Sequence, residues 1–304
     1  MTGEVAIPEQ FTRLVRGRPA EGGPDGDTWL DALPGLVEEL LARWELTTDG
    51  PIRYGRCALV VPVISAADPL GPAALKITWP HAEAAQEHLA LRYWAGNGAV
   101  RLLNADPHRW AMLLERLHGD RDLIGEPIDD ACTVIGGLLA DLDRPARPQF
   151  DRLSDFAARV PGILTSAPGV LPRRFSEQAA ALARDLAADP AVDARLVHTD
   201  LHYENVLAAD RAPWLAIDPK PMAAEPAFAV APALWNRWDE AVADFDVRWH
   251  LRRRVELICA AGSIDEDRAR AWTIVREACN AAWEPTTARV GAAVTTIKAM
   301  QPGP

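Results

Sequence analysis

One stretch constrains this chain more than any other. Between the short apolar runs Leu196–Val197 and Val206–Leu207 lies the octapeptide HTDLHYEN, residues 198–205, and a third apolar run, Trp214–Ile217, leads directly into Asp218-Pro219-Lys220. Short β-like runs on either side of a polar segment fix the ends of a loop and leave its side chains at an open edge, where chemistry is usually carried. The fold must therefore present Asp200, then Asn205 five residues on and Asp218 thirteen beyond that, at fixed offsets from paired strands.

Those residue types suit phosphoryl transfer from ATP, which consists mainly of positioning and charge neutralisation around an in-line attack. Asp200 accepts the proton of an attacking hydroxyl in this reading, and His198 orients the loop. Asn205 and Asp218 offer the hard oxygen donors that Mg²⁺ takes when it shares its shell with phosphates. Three other readings compete. The same residues could simply cap turns around two short strands. His198-x-Asp200-x-His202 alternates as metal ligands do, but the remaining histidines, 81, 88, 108, 118 and 250, complete no further ligand motif for a metallohydrolase. A binding module without catalysis would not need this full set of polar groups.

The rest of the composition narrows the class. At 304 residues the chain is long enough for two lobes or one large domain, and 49% hydrophobic with 25% charged residues is the balance of a folded protein. A formal net charge of −11 repels phosphate backbones and anionic membranes, so nucleic acid and membrane are poor partners and a cationic small molecule is a plausible one. Cys57, Cys132, Cys259 and Cys279 are widely spaced and form no zinc or redox motif. The first residues have no basic and apolar leader, and no apolar run approaches a membrane span, so a cytoplasmic protein, acting as a monomer, is expected. Of 32 cationic residues only Lys76, Lys220 and Lys298 are lysine, which makes each retained lysine notable.

Along the chain, residues 1–26 are rich in Gly, Pro and charge and read as a loosely held arm. Apolar residues from Trp29 to Trp44 recur at helical spacing, with Pro34 a candidate break. Residues 51–79 read as a hairpin around the turn ADPLGP, placing Lys76 in its second strand. A helix is expected over His81–Ala95, stopped by Gly96-Asn97-Gly98, followed by strands at Val100–Leu103 and Trp110–Leu114. Polar residues 118–127 break the pattern, and helical periodicity dominates afterwards. The domain boundary is thus expected near 115–120, giving an arm at 1–26, a β-rich unit with one N-terminal helix at 27–117, and a mainly helical unit at 118–304.

On these residues the chain resembles the aminoglycoside phosphotransferase family. That family's H-x-D-L-H-x-x-N loop is matched by His198, Asp200, Leu201, His202 and Asn205, and its metal-binding acid by Asp218. The stretch DLHYENVLAADRAPWLAIDPKP, with LLERL at 113–117, looks most like the streptomycin 6-kinase branch, which also includes hydroxyurea phosphotransferases. The resemblance implies an α+β, bilobal protein-kinase-like fold with a small β-rich N-lobe and a larger helical C-lobe. It further implies an ATP- and Mg²⁺-dependent phosphotransferase acting in antibiotic resistance. Lys76 then contacts the nucleotide phosphates, paired with Glu87 or, in a different helix register, Glu83. Glu115 and Leu117 would bound the hinge that meets adenine, and the turn Gly55-Arg56-Cys57-Ala58 would cover the phosphates. Thr199 and Ala229 depart from the family pattern, where Gly or Trp and a final Asp are usual. A streptomycin-like acceptor carries guanidinium groups and needs acidic and aromatic partners. Beside Asp200 and His202, the candidates are Trp235, Asn236, Trp238, Asp239 and Glu240, with Asn280, Trp283 and Glu284 at the end of a late helix.

Overall fold

The computed structural model describes residues 6–65 and 71–302, and the chain divides into two compact units. The first comprises Met1–Gly96 with Val100–Leu117, and the second Asn97–Ala99 with His118–Pro304.

The first unit begins with helices α1 (Glu9–Val15) and α2 (Gly26–Arg43), followed by strands β1 (Leu46–Thr48), β2 (Arg53–Tyr54), β3 (Ala58–Ser65) and β4 (Pro72–Thr78), helix α3 (Glu87–Trp94), and strands β5 (Leu102–Asp106) and β6 (Ala111–Glu115). The sheet runs in the order β1-β3-β4-β6-β5, with β2 added along β3, and its neighbouring strands are antiparallel. Because strand side chains alternate, Ala73, Leu75 and Ile77 of β4 share one face. They are fully buried and belong to the same core as Leu59, Val61 and Val63 of β3 and Trp29, Leu33, Val37 and Leu40 of α2. Lys76 consequently lies on the opposite face. The ADPLGP turn of the hairpin falls largely outside the described residues.

Three expectations for this unit change. The N-terminal arm is not loose, because α1 sinks Phe11 and Val15 into the core, with Phe11 edge-on to Trp29 at 6.0 Å. Pro34 does not split α2, since the stripe Trp29, Leu33, Val37, Leu40 is buried on both sides of it and carries the helix through. Asp25 caps that helix by accepting the Thr28 N–H at 2.8 Å. The helix expected over His81–Ala95 is shorter. Ala82–Ala84 form a 3-10 turn without a capping side chain, Gln86 sits off helical dihedrals at φ −108°, and α3 starts only at Glu87, ending at a left-handed Ala95.

The second unit carries β7 (His118–Asp122), α4 (Ile128–Asp141), β8 (Arg144–Pro145), α5 (Leu153–Ser166), α6 (Arg173–Ala187), β9 (Arg195–His198), β10 (Val206–Ala208), β11 (Trp214–Ala216), β12 (Pro221–Ala224), α7 (Pro232–Trp235), α8 (Trp238–Ala243), α9 (Val247–Gly262), α10 (Glu266–Trp283) and α11 (Thr287–Met300). Two small sheets, β11-β10-β7 and β12-β9-β8, frame the HTDLHYEN segment, which runs from the end of β9 to the start of β10. The polar run after Leu117 includes an exposed strand, β7, whose lack of apolar alternation hid it from the sequence. Around these sheets pack the long helices, with α4 against α9 closely enough that a Cβ on Gly136 would overlap the Ile258 carbonyl oxygen.

Gly26 is a similar close approach, since a Cβ there would overlap the Val15 carbonyl oxygen at the end of α1. Gly26→Ala is expected to destabilise the protein by about 1–3 kcal/mol, the usual range for forced overpacking. Denaturant unfolding checks this, and an unchanged midpoint would mean that α1 does not hold α2 in this way.

Candidate active site

The polar loop of the second unit is held by one buried imidazole. His198 ends β9, where it pairs with Pro221 of β12, and it is completely buried. Its Nε2 is 3.0 Å from the Ile217 carbonyl oxygen and its Nδ1 accepts the Asp200 N–H at 3.1 Å. A carbonyl can only accept, so the proton belongs on Nε2 and the ring must be neutral for Nδ1 to accept. Burial enforces that state by pushing the His198 pKa down to about 4, against the raising effects of its Ile217 hydrogen bond and of Asp200 and Asp218.

Ile217 is braced a second time, its N–H donating to the Asn205 carbonyl at 2.9 Å. The residue before Asp218 is thus tied both to the start and to the end of the HTDLHYEN loop. Asp218 itself takes a left-handed backbone with φ 53°, a conformation that costs a non-glycine residue of order 1 kcal/mol or more and persists where its surroundings impose it. The Asn205 side chain donates from Nδ2 to the Asp200 carbonyl at 2.9 Å and lies 3.1 Å from His202 Nε2. With Nδ2 so engaged, the amide oxygen is the atom left to meet a cation. His202 is driven toward its neutral form by burial, and its Nδ1 is buried without a hydrogen-bond partner among the described residues.

Asp200 lies at the centre of these contacts, its side chain 18% exposed. Lys220 Nζ is 2.6 Å from Asp200 Oδ2, and Oδ1 has no hydrogen-bond partner among the described residues. Thr199, which departs from the family pattern, is structural here: its N–H and Oγ1 both donate to the Lys220 carbonyl, at 3.0 and 2.9 Å. Its own carbonyl accepts from Arg276 Nη1 of α10 at 2.9 Å. Ala229, the other departure, is fully buried in the short turn Pro226–Ala229.

In the first unit Lys76 projects from β4 toward α3. Its Nζ is 2.7 and 2.8 Å from the two carboxylate oxygens of Glu87, and both residues are buried. Glu87 rather than Glu83 is therefore the partner in this structure. Glu115, at the end of β6, accepts the Arg101 N–H through Oε1 at 2.7 Å, and its own N–H donates to the Arg101 carbonyl. The Arg116 N–H is used on the Pro72 carbonyl, and the Leu117 N–H has no hydrogen-bond partner among the described residues. The turn after β2 is closed by the Gly55 N–H on the Ala58 carbonyl at 2.9 Å.

The acceptor candidates are less uniform. Asp239, Trp283 and Glu284 are exposed, and Trp283 lies 6.4 Å from the Phe156 ring. Asn280 is half-buried, and the Asn236 side chain is turned back onto the Pro232 carbonyl. Glu240 is taken by Arg237, which meets its two carboxylate oxygens at 2.6 and 2.8 Å. Trp235 already carries the chain's own guanidinium groups, Arg276 at 4.9 Å and Arg289 at 5.8 Å from its ring centre, so it supports the site rather than offering a bare ring to a ligand. Sequence reasoning assigned no role to Arg276 or Lys220; the scarcity of lysine was the one signal that marked the latter.

The donor set fits Mg²⁺. The Asn205 amide and the Asp218 carboxylate carry hard oxygen donors, and one or two such ligands would suffice for an ion that keeps most of its shell for water and phosphate. Among the described residues no helix is long and apolar enough to cross a membrane.

The comparisons with known proteins agree on a family. A model described as aminoglycoside/hydroxyurea antibiotic resistance kinase matches residues 43–288. The chain is 42% identical to a streptomycin 6-kinase of Streptomyces glaucescens, over 98% of this chain and 97% of that one. It is 41% identical to a hydroxyurea phosphotransferase of Kitasatospora aureofaciens, over 92% and 81% respectively. Among solved structures, a choline kinase from Streptococcus pneumoniae aligns with a TM-score of 0.57 at 12% identity, over 89% of this chain and 99% of that one. A thermostable aminoglycoside phosphotransferase in ternary complex with ADP and hygromycin B aligns at 0.54 and 15%, over 86% and 97%. These likenesses establish the protein-kinase-like fold.

Protonation of His198 opposes folding. Its folded pKa is about 4 against an ordinary 6.5, so its contribution is fully present above pH 6.5 and is lost as pH falls toward 4, because the unfolded chain binds the proton first. The difference corresponds to roughly 3 kcal/mol. Unfolding free energies at pH 7 and pH 5 are expected to differ by more in the wild type than in His198→Asn, with His202 supplying the residual slope; equal slopes would remove His198 from this role.

Proposed function

The chain belongs to the aminoglycoside/hydroxyurea antibiotic resistance kinase family, and we propose that it transfers the γ-phosphoryl group of ATP to a hydroxyl of streptomycin or a similar guanidinium-bearing aminoglycoside, as a 6-phosphotransferase conferring resistance. The observation that carries this reading is Asp200. Its Oδ2 is held by Lys220 and its Oδ1 has no hydrogen-bond partner among the described residues, and Asn205 of the same loop, with Asp218 in the segment that follows β11, would supply oxygen donors for a cation.

In this reading the hydroxyl oxygen of the acceptor forms a bond to the γ-phosphorus. The bond to the β–γ bridging oxygen breaks with its electron pair left on ADP, and the hydroxyl proton passes to Asp200 Oδ1. Asn205 and Asp218 would hold Mg²⁺, which would supply charge neutralisation on the phosphates. Lys76, fixed by Glu87, meets the α- and β-phosphates, and the backbone at Glu115 and Leu117 meets the adenine. His198 acts through its two hydrogen bonds, holding the base and the acid-bearing segment in register. The acceptor's guanidinium groups would meet acidic side chains such as Asp239 and Glu284, and Trp283, Asn280 and His202 are further candidate contacts. A net charge of −11 favours a polycationic acceptor over nucleic acid or an anionic membrane.

A second reading, hydroxyurea as acceptor, rests on the 41% identical hydroxyurea phosphotransferase. Salt separates the two, because attraction of a polycation by an acidic surface is screened and that of a neutral molecule is not. Streptomycin is expected to stimulate ADP formation with Mg²⁺-ATP, with kcat/KM falling as salt rises to physiological strength. Stimulation by hydroxyurea alone, without salt dependence, selects the second reading.

Two substitutions test the machinery. Asp200→Ala is expected to lower kcat by ~10²-fold or more with ATP affinity near wild type, and near-normal turnover would exclude it as the base. Asp218→Asn should weaken nucleotide binding with Mg²⁺ more than without it in calorimetry, and equal binding in both conditions would remove it from the metal site.

A further inference from the structure

We propose that Lys220 is a positioning residue of the phosphotransfer, holding one oxygen of Asp200 so that the other alone accepts the acceptor's proton. The inference rests on the reading of Asp200 as the base. Four observations place the lysine there. Its backbone is set by its neighbours: it precedes Pro221, which disfavours the α region for it, and it lies two residues after the left-handed Asp218. Its carbonyl takes two hydrogen bonds from Thr199, so residue 220 is clamped beside the residue that precedes the base. Its Nζ is 2.6 Å from Asp200 Oδ2, with the lysine side chain 33% exposed and the aspartate 18%. Finally, Lys220 is one of three lysines among 32 cationic residues, so an ammonium is present where this chain almost always uses a guanidinium.

The last point has a chemical reason. A guanidinium presents a fork that matches both oxygens of a carboxylate, whereas an ammonium is a point donor that can sit on one. Arginine at 220 would compete with the acceptor hydroxyl for Oδ1. Lysine fixes the carboxylate's rotation and leaves Oδ1 directed at the acceptor. The residue touches neither acceptor nor phosphorus in this role; it acts through Asp200.

The test uses the full-length Lys220→Ala, Lys220→Arg, Asp200→Asn and Asp200→Asn/Lys220→Ala variants, with thermal melts confirming folding and streptomycin and Mg²⁺-ATP as substrates. Lys220→Ala is expected to lower kcat by ~10²-fold, within the range for a disabled general base, with the KM for ATP changed by less than about threefold. Lys220→Arg should melt like the wild type yet stay as slow as Lys220→Ala, whereas a merely structural ion pair would be restored by arginine. Added ethylammonium should recover part of the Lys220→Ala rate. In the Asp200→Asn background the lysine substitution should have no further effect, because both act in one step. A near-wild-type rate in Lys220→Arg, or multiplication of the two defects in the double variant, overturns the proposal. If instead Asp200→Asn itself turns over normally, it is the assignment of the base that fails.

Discussion

A neutral imidazole buried at the end of β9 is the joint from which the catalytic region of the second unit is hung. His198 reaches nineteen residues along the chain to the Ile217 carbonyl with one ring nitrogen and two residues forward to the Asp200 N–H with the other. Each bond fixes a different strand-to-loop transition, so the ring sets how Asp200 lies relative to the segment that bears Asp218. No other side chain supplies a donor and an acceptor on opposite sides of a rigid ring in this way. Full burial makes the arrangement self-consistent, since the environment that strengthens the two hydrogen bonds also excludes the protonated form that would break one of them.

Strain and unpaired groups gather around this joint. Asp218 holds a left-handed backbone, His202 keeps a buried Nδ1 without a hydrogen bond among the described residues, and Thr199 and Lys220 are locked together by two contacts on one carbonyl. Support comes from α10, where Arg276 donates to the Thr199 and Phe228 carbonyls and packs over the Phe228 and Trp235 rings. Next to it Glu277 is completely buried. Arg289 Nη2 lies 2.8 Å from its Oε2, off hydrogen-bonding geometry, and burial raises the Glu277 pKa in spite of that cation. Buried charges of this kind contribute little net stability, because desolvation offsets most of the attraction. Their presence behind the loop is better understood as fixing one arrangement of α10, α11 and the Trp235 region than as a source of folding energy.

The elements that bury an apolar stripe were legible in the sequence, and those that do not were hidden. Periodicity located α2, the β3–β4 hairpin and the long helices, because their burial follows the 3.6- or 2-residue repeat. The strand β7 is exposed along its length and carries no such repeat. α1 was missed because only Phe11 and Val15 of its seven residues are buried, too short a signal against the Gly and Pro that follow. Residue types with fixed chemistry were readable at the site: the HTDLHYEN spacing brought together Asp200, Asn205 and His202, and the lone lysine of β4 found a buried carboxylate. What spacing could not give was the backbone. The double use of Ile217, the clamp of Thr199 on Lys220 and the turn at Asp218 are main-chain events, and main-chain hydrogen bonds leave almost no trace in side-chain identity.

In the proposed mechanism the two lysines, Lys76 and Lys220, divide the same chemistry in opposite ways. Lys76 Nζ sits on both oxygens of Glu87 in a buried face of the first unit, so the carboxylate is fully used and serves to aim the ammonium. Lys220 Nζ sits on a single oxygen of a partly exposed aspartate, so here the ammonium serves to aim the carboxylate. The difference follows from what each pair faces. A phosphate needs a cation, and the carboxylate's role is to hold that cation in place in a medium where an unpaired charge is costly. An attacking hydroxyl needs a base, and the cation's role is to leave one basic oxygen in a defined direction. Arginine would fill neither place in the same way, its planar fork lacking the compact charge that suits the first and engaging both oxygens in the second. In a chain that otherwise uses arginine almost without exception, the positions of these two lysines follow from the direction in which charge must be presented.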